Sequence, residues 1–348
     1  MIRAEVAALP AYVPGKDRPH AVKLSSNEVA TCPVPQVKDA VQEALENPNR
    51  YPDTNATALK KALAEYLGLS PEQLAVGSGS SALCQQLVQV CCHDGDEVIF
   101  PWRSFEAYPM FATVHGAQEK TVALTDSQGL DLPGMIAAIT DRTRLIFVCN
   151  PNNPSGSTIT RQDFHEFMDA VPDDVLVALD EAYFEYNRAE DTPNAVEEIA
   201  RYDNLVGMRT FSKAWGLAGL RVGYAFGNPE IIEAVNKVAP PFSVSTVSQA
   251  AAICCLEHAP EVMASTADTI TQRDRAADAL GAQHSQANFI WLPSEDPAKP
   301  AALAEALAEE GIIVRAYPDG LRVSITTKKE TDALIAAWEK VTARGLSI

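Results

Sequence analysis

Seven short apolar runs punctuate the middle of the chain: 74–76, 97–100, 121–124, 145–149, 175–179, 205–208 and 222–226. Several are apolar at consecutive positions, the pattern of strands covered on both faces of a mainly parallel sheet. Helical stretches separate them, which predicts an α/β domain. Ahead of these runs, residues 36–46 place Val37, Ala40, Val41, Ala44 and Leu45 on one helical face. Residues 58–67 do the same with Leu59, Ala62, Leu63, Tyr66 and Leu67, after a turn-rich break at 49–53. Past residue 245 the texture changes to Ala-rich helices with a few strands. It ends in an amphipathic segment, 330–341, with Ala333, Leu334, Ala337, Trp338 and Val341 on one face. The expected organisation is an irregular Pro-containing arm over 1–26, a large domain over 27–244 and a smaller α+β domain over 245–348.

Length and charge narrow this further. At 348 residues the chain exceeds the roughly 250–300 at which a single core stops growing. Its formal charge of −18 gives no electrostatic footprint for nucleic acid or an anionic membrane. No apolar run reaches the ~18 residues of a membrane span, and the N-terminus lacks the apolar stretch of a signal peptide. Seven cysteines, with Cys91–Cys92 and Cys254–Cys255 adjacent, suit a disulfide framework badly. Cys32, Cys84 and Cys149 read as buried free thiols among small or apolar neighbours, which points to a reducing cytoplasm. No CxxC or histidine spacing suggests a metal site.

In open α/β sheets ligands bind beyond the carboxyl ends of the strands, so the residues that follow each run carry the candidate chemistry. Residues 77–82, Gly-Ser-Gly-Ser-Ser-Ala, join a strand to a helix. Backbone N–H groups there, with Ser80 and Ser81, can cradle a phosphate, or the segment is a plain helix start. It also fits a dinucleotide fingerprint, which wants an acid at the end of the next strand. Here Asp94, Asp96 and Glu97 precede that strand instead. Residues 150–156, Asn-Pro-Asn-Asn-Pro-Ser-Gly, form a rigid turn that either only turns or aims an amide into a site. Asp180 ends a buried run, where a carboxylate is costly without a cation, and Tyr183 follows three residues later; the competing role for the acid is a helix cap. Lys213 sits among small and apolar residues, where desolvation makes an amine nucleophilic, unless its head reaches water. Arg221 lies within reach if the segment folds back. A phosphate cradle, an acid for a ring nitrogen, a phenol and an amide for a ring oxygen, and an amine for an aldehyde are together the parts of a pyridoxal 5'-phosphate site.

Asn150–Gly156, Asp180-Glu-Ala-Tyr183 and Ser212-Lys-Ala-Trp-Gly-Leu-Ala-Gly-Leu-Arg221, in this order, resemble the fold-type I aminotransferases, in the histidinol-phosphate aminotransferase-like branch. The resemblance runs from Leu24-Ser-Ser-Asn-Glu28 to Leu321-Arg-Val-Ser324. Within that branch, Phe100–Tyr108 is most similar to actinobacterial aromatic amino acid aminotransferases. The resemblance implies a large mainly parallel α/β domain with a smaller α+β domain, a homodimer, and transfer of an amino group between an aromatic amino acid and a 2-oxo acid. It implies Lys213 as covalent anchor and proton shuttle, Asp180 on the ring nitrogen, and Tyr183 and Asn153 on the ring oxygen. It implies Ser80, Ser81, Ser212 and Arg221 on the phosphate, with Tyr51 reaching in from a neighbouring subunit. Phe105 takes the stacking place that many relatives give to Tyr. Arg322 pairs with the substrate carboxylate, and Asn27 and Tyr12 border the substrate. Arg315 matches an arginine that holds the substrate phosphate in histidinol-phosphate enzymes, which keeps that activity as the second expectation. The stretch after Arg322 lacks the glycine that often follows there, which tilts the reading toward aromatic substrates. A nicotinamide-dependent dehydrogenase, a decarboxylase of the same branch and a fold retained for binding alone are the remaining alternatives.

Overall fold

The computed structural model describes residues 1–11 and 18–348; Tyr12 lies outside the described residues. The first strand, β1 (Val22–Leu24), belongs to a four-stranded sheet described below. All seven apolar runs become strands of one sheet: β2 (Leu74–Gly77), β3 (Glu97–Trp102), β4 (Gln118–Ala123), β5 (Thr143–Cys149), β6 (Leu176–Asp180), β7 (Leu205–Thr210) and β8 (Gly223–Gly227). Their order is β2-β8-β7-β6-β5-β3-β4. The β3–β4, β3–β5, β5–β6 and β6–β7 pairs are parallel, and β8 runs antiparallel to β7 and β2. The carboxyl ends of β2 through β7 therefore point to one side of the sheet.

Alternate residues of each central strand feed opposite cores. Along β5, Ile146 and Val148 enter one hydrophobic cluster while Leu145, Phe147 and Cys149 enter the other. On β6, Val177 and Leu179 divide from Leu176 and Ala178 in the same way. Both faces are covered, so no polar residue is needed at alternate positions. The edge strand β4 departs from this pattern, with exposed Gln118, Glu119 and Thr121. Polar and charged residues blunt an edge that would otherwise pair with another chain.

The second sheet has the order β1-β10-β11-β9, with β9 (Phe289–Pro293), β10 (Ile312–Tyr317) and β11 (Gly320–Ser324). β1 is parallel to β10, and the other pairs are antiparallel. Leu24, Ile290, Leu292, Val323, Leu334 and Trp338 pack in its core. Two stretches of the N-terminal segment carry regular structure. They are a short helix, Ala4–Ala8, and β1, which covers the edge of β10 and buries Leu24. The apolar helix Thr246–Glu257, just past the residue-244 boundary read from the sequence, buries Ala251, Ala252, Cys254 and Cys255 in the same cluster as Leu179 and Tyr183. Cys84 and Cys149 are buried free thiols, but Cys32 is exposed. The backbone of Cys32 and the Pro33 ring press against Gly216, where an added Cβ would collide, and the Cys32 thiol donates to the Val34 carbonyl at 3.5 Å.

Among the described residues no helix is long and apolar enough to cross a membrane. Leu179 is fully buried one residue before the end of β6. Leu179→Ala is expected to lower the unfolding free energy by about 2–5 kcal/mol, read from the urea midpoint; a midpoint equal to wild type would contradict the packing described.

Candidate active site

The parallel strands end where the candidate residues begin. Asp180 is the last residue of β6, paired in register with Cys149 and Met208 of the flanking strands. It is buried, and its Oδ2 accepts a 2.7 Å hydrogen bond from the Tyr108 hydroxyl while Oδ1 accepts from the Ala182 N–H. Burial pushes its carboxyl above the usual range, opposed by those hydrogen bonds and by the charge of Lys213. Among the described residues this buried acid has no ion-pair partner, which suits it to a protonated ring nitrogen.

Lys213 follows β7 and donates to the Ser26 carbonyl at 3.2 Å, with its Nζ 5.8 Å from the centre of the Tyr183 ring. Burial, aided by the positive charges of Arg322 and Arg221, pulls its ammonium down to about 7, against Glu28 and Asp180. Near neutral pH this amine is half unprotonated, which a nucleophile or proton carrier requires.

The helix Ser80–Cys91 begins at Gly79 with no side-chain cap, leaving first-turn N–H groups open. Arg221 adopts a left-handed backbone (φ 51°) that turns its guanidinium toward this end. It packs so closely that a Cβ on Gly79 would collide with it, and Nη1 donates to the Ser212 hydroxyl at 3.2 Å. Gly223 permits the equally close approach of the Ser80 backbone. The Arg221 guanidinium, the Ser212 hydroxyl and the N-terminus of the helix that begins at Ser80 converge without an acidic partner among the described residues. That donor set fits a phosphate dianion despite the acidic chain.

Asn153 and Tyr183 approach from the loops after β5 and β6. Asn153 Oδ1 accepts from Arg322 Nη1 at 2.6 Å, and the Tyr183 hydroxyl accepts from Asn27 Nδ2 at 2.9 Å. Asn27 is itself fixed: its N–H donates to Ser324 Oγ, its Oδ1 accepts from that hydroxyl, and its carbonyl accepts from Asn288. Its positive φ of 56° is thus held by three contacts. Arg322, on β11, is buried; Nη2 donates to the Ser25 carbonyl and Nε has no partner among the described residues. A buried guanidinium with an unpartnered Nε and only neutral acceptors among the described residues is set to take a carboxylate.

Phe105 stands at the rim, edge-on to Tyr108 at 5.4 Å. Arg315 lies opposite Arg322 across the β10–β11 hairpin and is ion-paired with Glu106, not an isolated surface charge. Tyr51 is not brought to these residues within one chain; it is exposed and stacks on Phe242 at 4.5 Å. Sequence reading gave no role to Tyr108, which also stacks on Phe147 at 4.3 Å. Its position three residues after Phe105, at a helix start, was the available signal. Nor did it single out Glu106 or Tyr317, whose partners are remote in sequence. The dinucleotide alternative fails on topology: four other strands separate β3, the strand after the helix, from β2, and Asp94, Asp96 and Glu97 lie at or before its amino end.

Residues 19–337 match the family model for aminotransferase class I and II. The chain is 60% identical over 343 residues to an aromatic amino acid aminotransferase of Corynebacterium glutamicum, covering 99% of this chain and 100% of that protein. It is 50% identical to an aromatic amino acid aminotransferase of Rhodococcus jostii, covering 99% and 97%. A crystal structure of histidinol-phosphate aminotransferase from Sinorhizobium meliloti in complex with pyridoxal-5'-phosphate superposes with a TM-score of 0.90 at 30% identity, covering 99% and 98%.

In ligand-free protein, modification of Lys213 by an amine-directed electrophile should rise with pH through a midpoint near 7, followed by peptide mass spectrometry. A midpoint at the ordinary lysine value, about 10.4, would contradict the desolvated environment described.

Proposed function

The chain belongs to the class I and II aminotransferases, and from that premise we propose that it transfers the amino group between an aromatic amino acid and a 2-oxo acid, 2-oxoglutarate or an aromatic one. Its cofactor is pyridoxal 5'-phosphate. The observation that carries the reading is the partly buried Lys213 amine flanked by two opposite chemistries, Asp180 at the buried end of β6 and the Arg221 cradle at the helix start. The aromatic preference is supported by relatives of that name at 50–60% identity over nearly the whole chain. Histidinol phosphate is the second reading, favoured by the Sinorhizobium neighbour and by the presence of Arg315.

When bound, the cofactor supplies an aldehyde for the substrate amine and a protonated ring that accepts the electrons left at the α-carbon. The residues of the chain have separable tasks. Ser80, Ser81, Ser212 and Arg221 hold the phosphate. Asp180 keeps the ring nitrogen protonated, and the Tyr108 hydroxyl holds that carboxylate in place. Tyr183 and Asn153 orient the ring oxygen, and Phe105 covers a ring face. Arg322 takes the substrate α-carboxylate with Asn27 beside it. Lys213 anchors the cofactor, removes the α-proton and returns it on the other side of the exchange, a task its lowered pKa suits. The amino acid leaves as its 2-oxo acid before the second 2-oxo acid enters.

A homodimer belongs to the same proposal. The exposed Tyr51–Phe242 stack offers aromatic surface for a second copy, and Tyr51 would complete the neighbour's phosphate cradle. A cytoplasmic location fits the seven free thiols.

Phenylalanine with 2-oxoglutarate should give phenylpyruvate at a kcat/KM above that for histidinol phosphate, with parallel double-reciprocal lines. Preference for histidinol phosphate would overturn the aromatic assignment. Lys213→Ala should lose at least about 100-fold in turnover and resist borohydride trapping of the cofactor; normal turnover would refute its role.

A further inference from the structure

We propose that Glu106 is a specificity-determining residue whose carboxylate occupies the Arg315 guanidinium beside the substrate site and disfavours substrates with a second anion on the side chain. This rests on the transaminase reading and deepens it. Three guanidiniums surround the Tyr317 ring, with their central carbons 5.1 Å (Arg103), 5.7 Å (Arg315) and 5.6 Å (Arg322) from its centre. Two of them carry carboxylates. Asp319 accepts from Arg103 Nε at 2.6 and 2.8 Å. Both Glu106 oxygens accept from Arg315 Nη2 at 3.3 Å, and the Tyr317 hydroxyl donates to Oε2 at 3.2 Å. Arg322 alone of the three has no carboxylate partner among the described residues. The cluster therefore presents one uncompensated cation, enough for one α-carboxylate.

Glu106 is tied to the site from its own side. It lies two residues before Tyr108, whose hydroxyl donates to Asp180, and next to Phe105, which stands edge-on to Tyr108. A substrate ending in a carboxylate or phosphate must displace Glu106 from Arg315 or lie beside its charge. A phenyl or indole side chain meets neither cost. Selectivity then comes from a repulsive group as much as an attractive one. By the same reasoning, an aromatic 2-oxo acid is a less opposed acceptor than 2-oxoglutarate.

The test compares wild type with Glu106→Gln, which keeps length and an acceptor for Tyr317, both with bound cofactor. Dissociation constants for glutarate and 3-phenylpropionate are measured by calorimetry, and kcat/KM for glutamate, histidinol phosphate and phenylalanine. In Glu106→Gln the affinity for glutarate relative to 3-phenylpropionate should rise on the order of tenfold. The kcat/KM ratios for glutamate and histidinol phosphate over phenylalanine should follow, mainly through KM, and adding Arg315→Gln should cancel the gain. Unchanged ratios, or a gain that survives Arg315→Gln, would overturn the role of Glu106. Failure of wild type to turn over phenylalanine would instead overturn the aromatic reading, so the two failures are distinguishable.

Discussion

The site depends on a carboxylate held where carboxylates are costly. Asp180 closes β6 between two other strands of the sheet, beyond the reach of water. In that position its charge is costly, and the charge of Lys213 offsets only part of the cost. The Tyr108 hydroxyl and the Ala182 N–H satisfy its oxygens and fix its direction, but they do not neutralise it. A protonated ring nitrogen would, and an acid so placed would in turn keep that nitrogen protonated.

The same economy governs the anion end. The chain carries a formal charge of −18, so its distant field opposes a dianion. At short range a helix start without a cap, the Ser212 hydroxyl and the Arg221 guanidinium pressed against Gly79 offer an anion a favourable set of donors. The second sheet contributes Arg322. β11 brings it to Asn153 and Ser25, so its guanidinium is held by segments far apart in the chain. β1 and Asn27 hold the N-terminal segment against it through Ser324 and Asn288.

What the sequence made legible follows from this physics. Strands buried on both faces are continuous apolar runs, and six of the seven were readable for that reason; β4 is a polar edge strand caught only at its carboxyl end. Asp180 and the turn at 150–156 were readable because each follows directly on such a run, and Lys213 because it lies a few residues beyond one, where ligands collect. Glu106 was not, because an acid on an exposed turn looks like any solvated charge until its partner Arg315, 209 positions away, is seen beside it. Tyr108 reads as a core aromatic, and its hydroxyl gains meaning only from Asp180, 72 positions on. β1 is three residues long, too short for periodicity to announce, and exists because β10 offers it an edge.

The most direct measurement of the central claim is the ring-nitrogen signal of 15N-labelled pyridoxal 5'-phosphate bound to the protein. If Asp180 holds its proton, the nitrogen is protonated at pH 8 in wild type and unprotonated in Asp180→Asn with cofactor still bound. An unprotonated ring in wild type, or the same protonated signal in both proteins, would contradict the account.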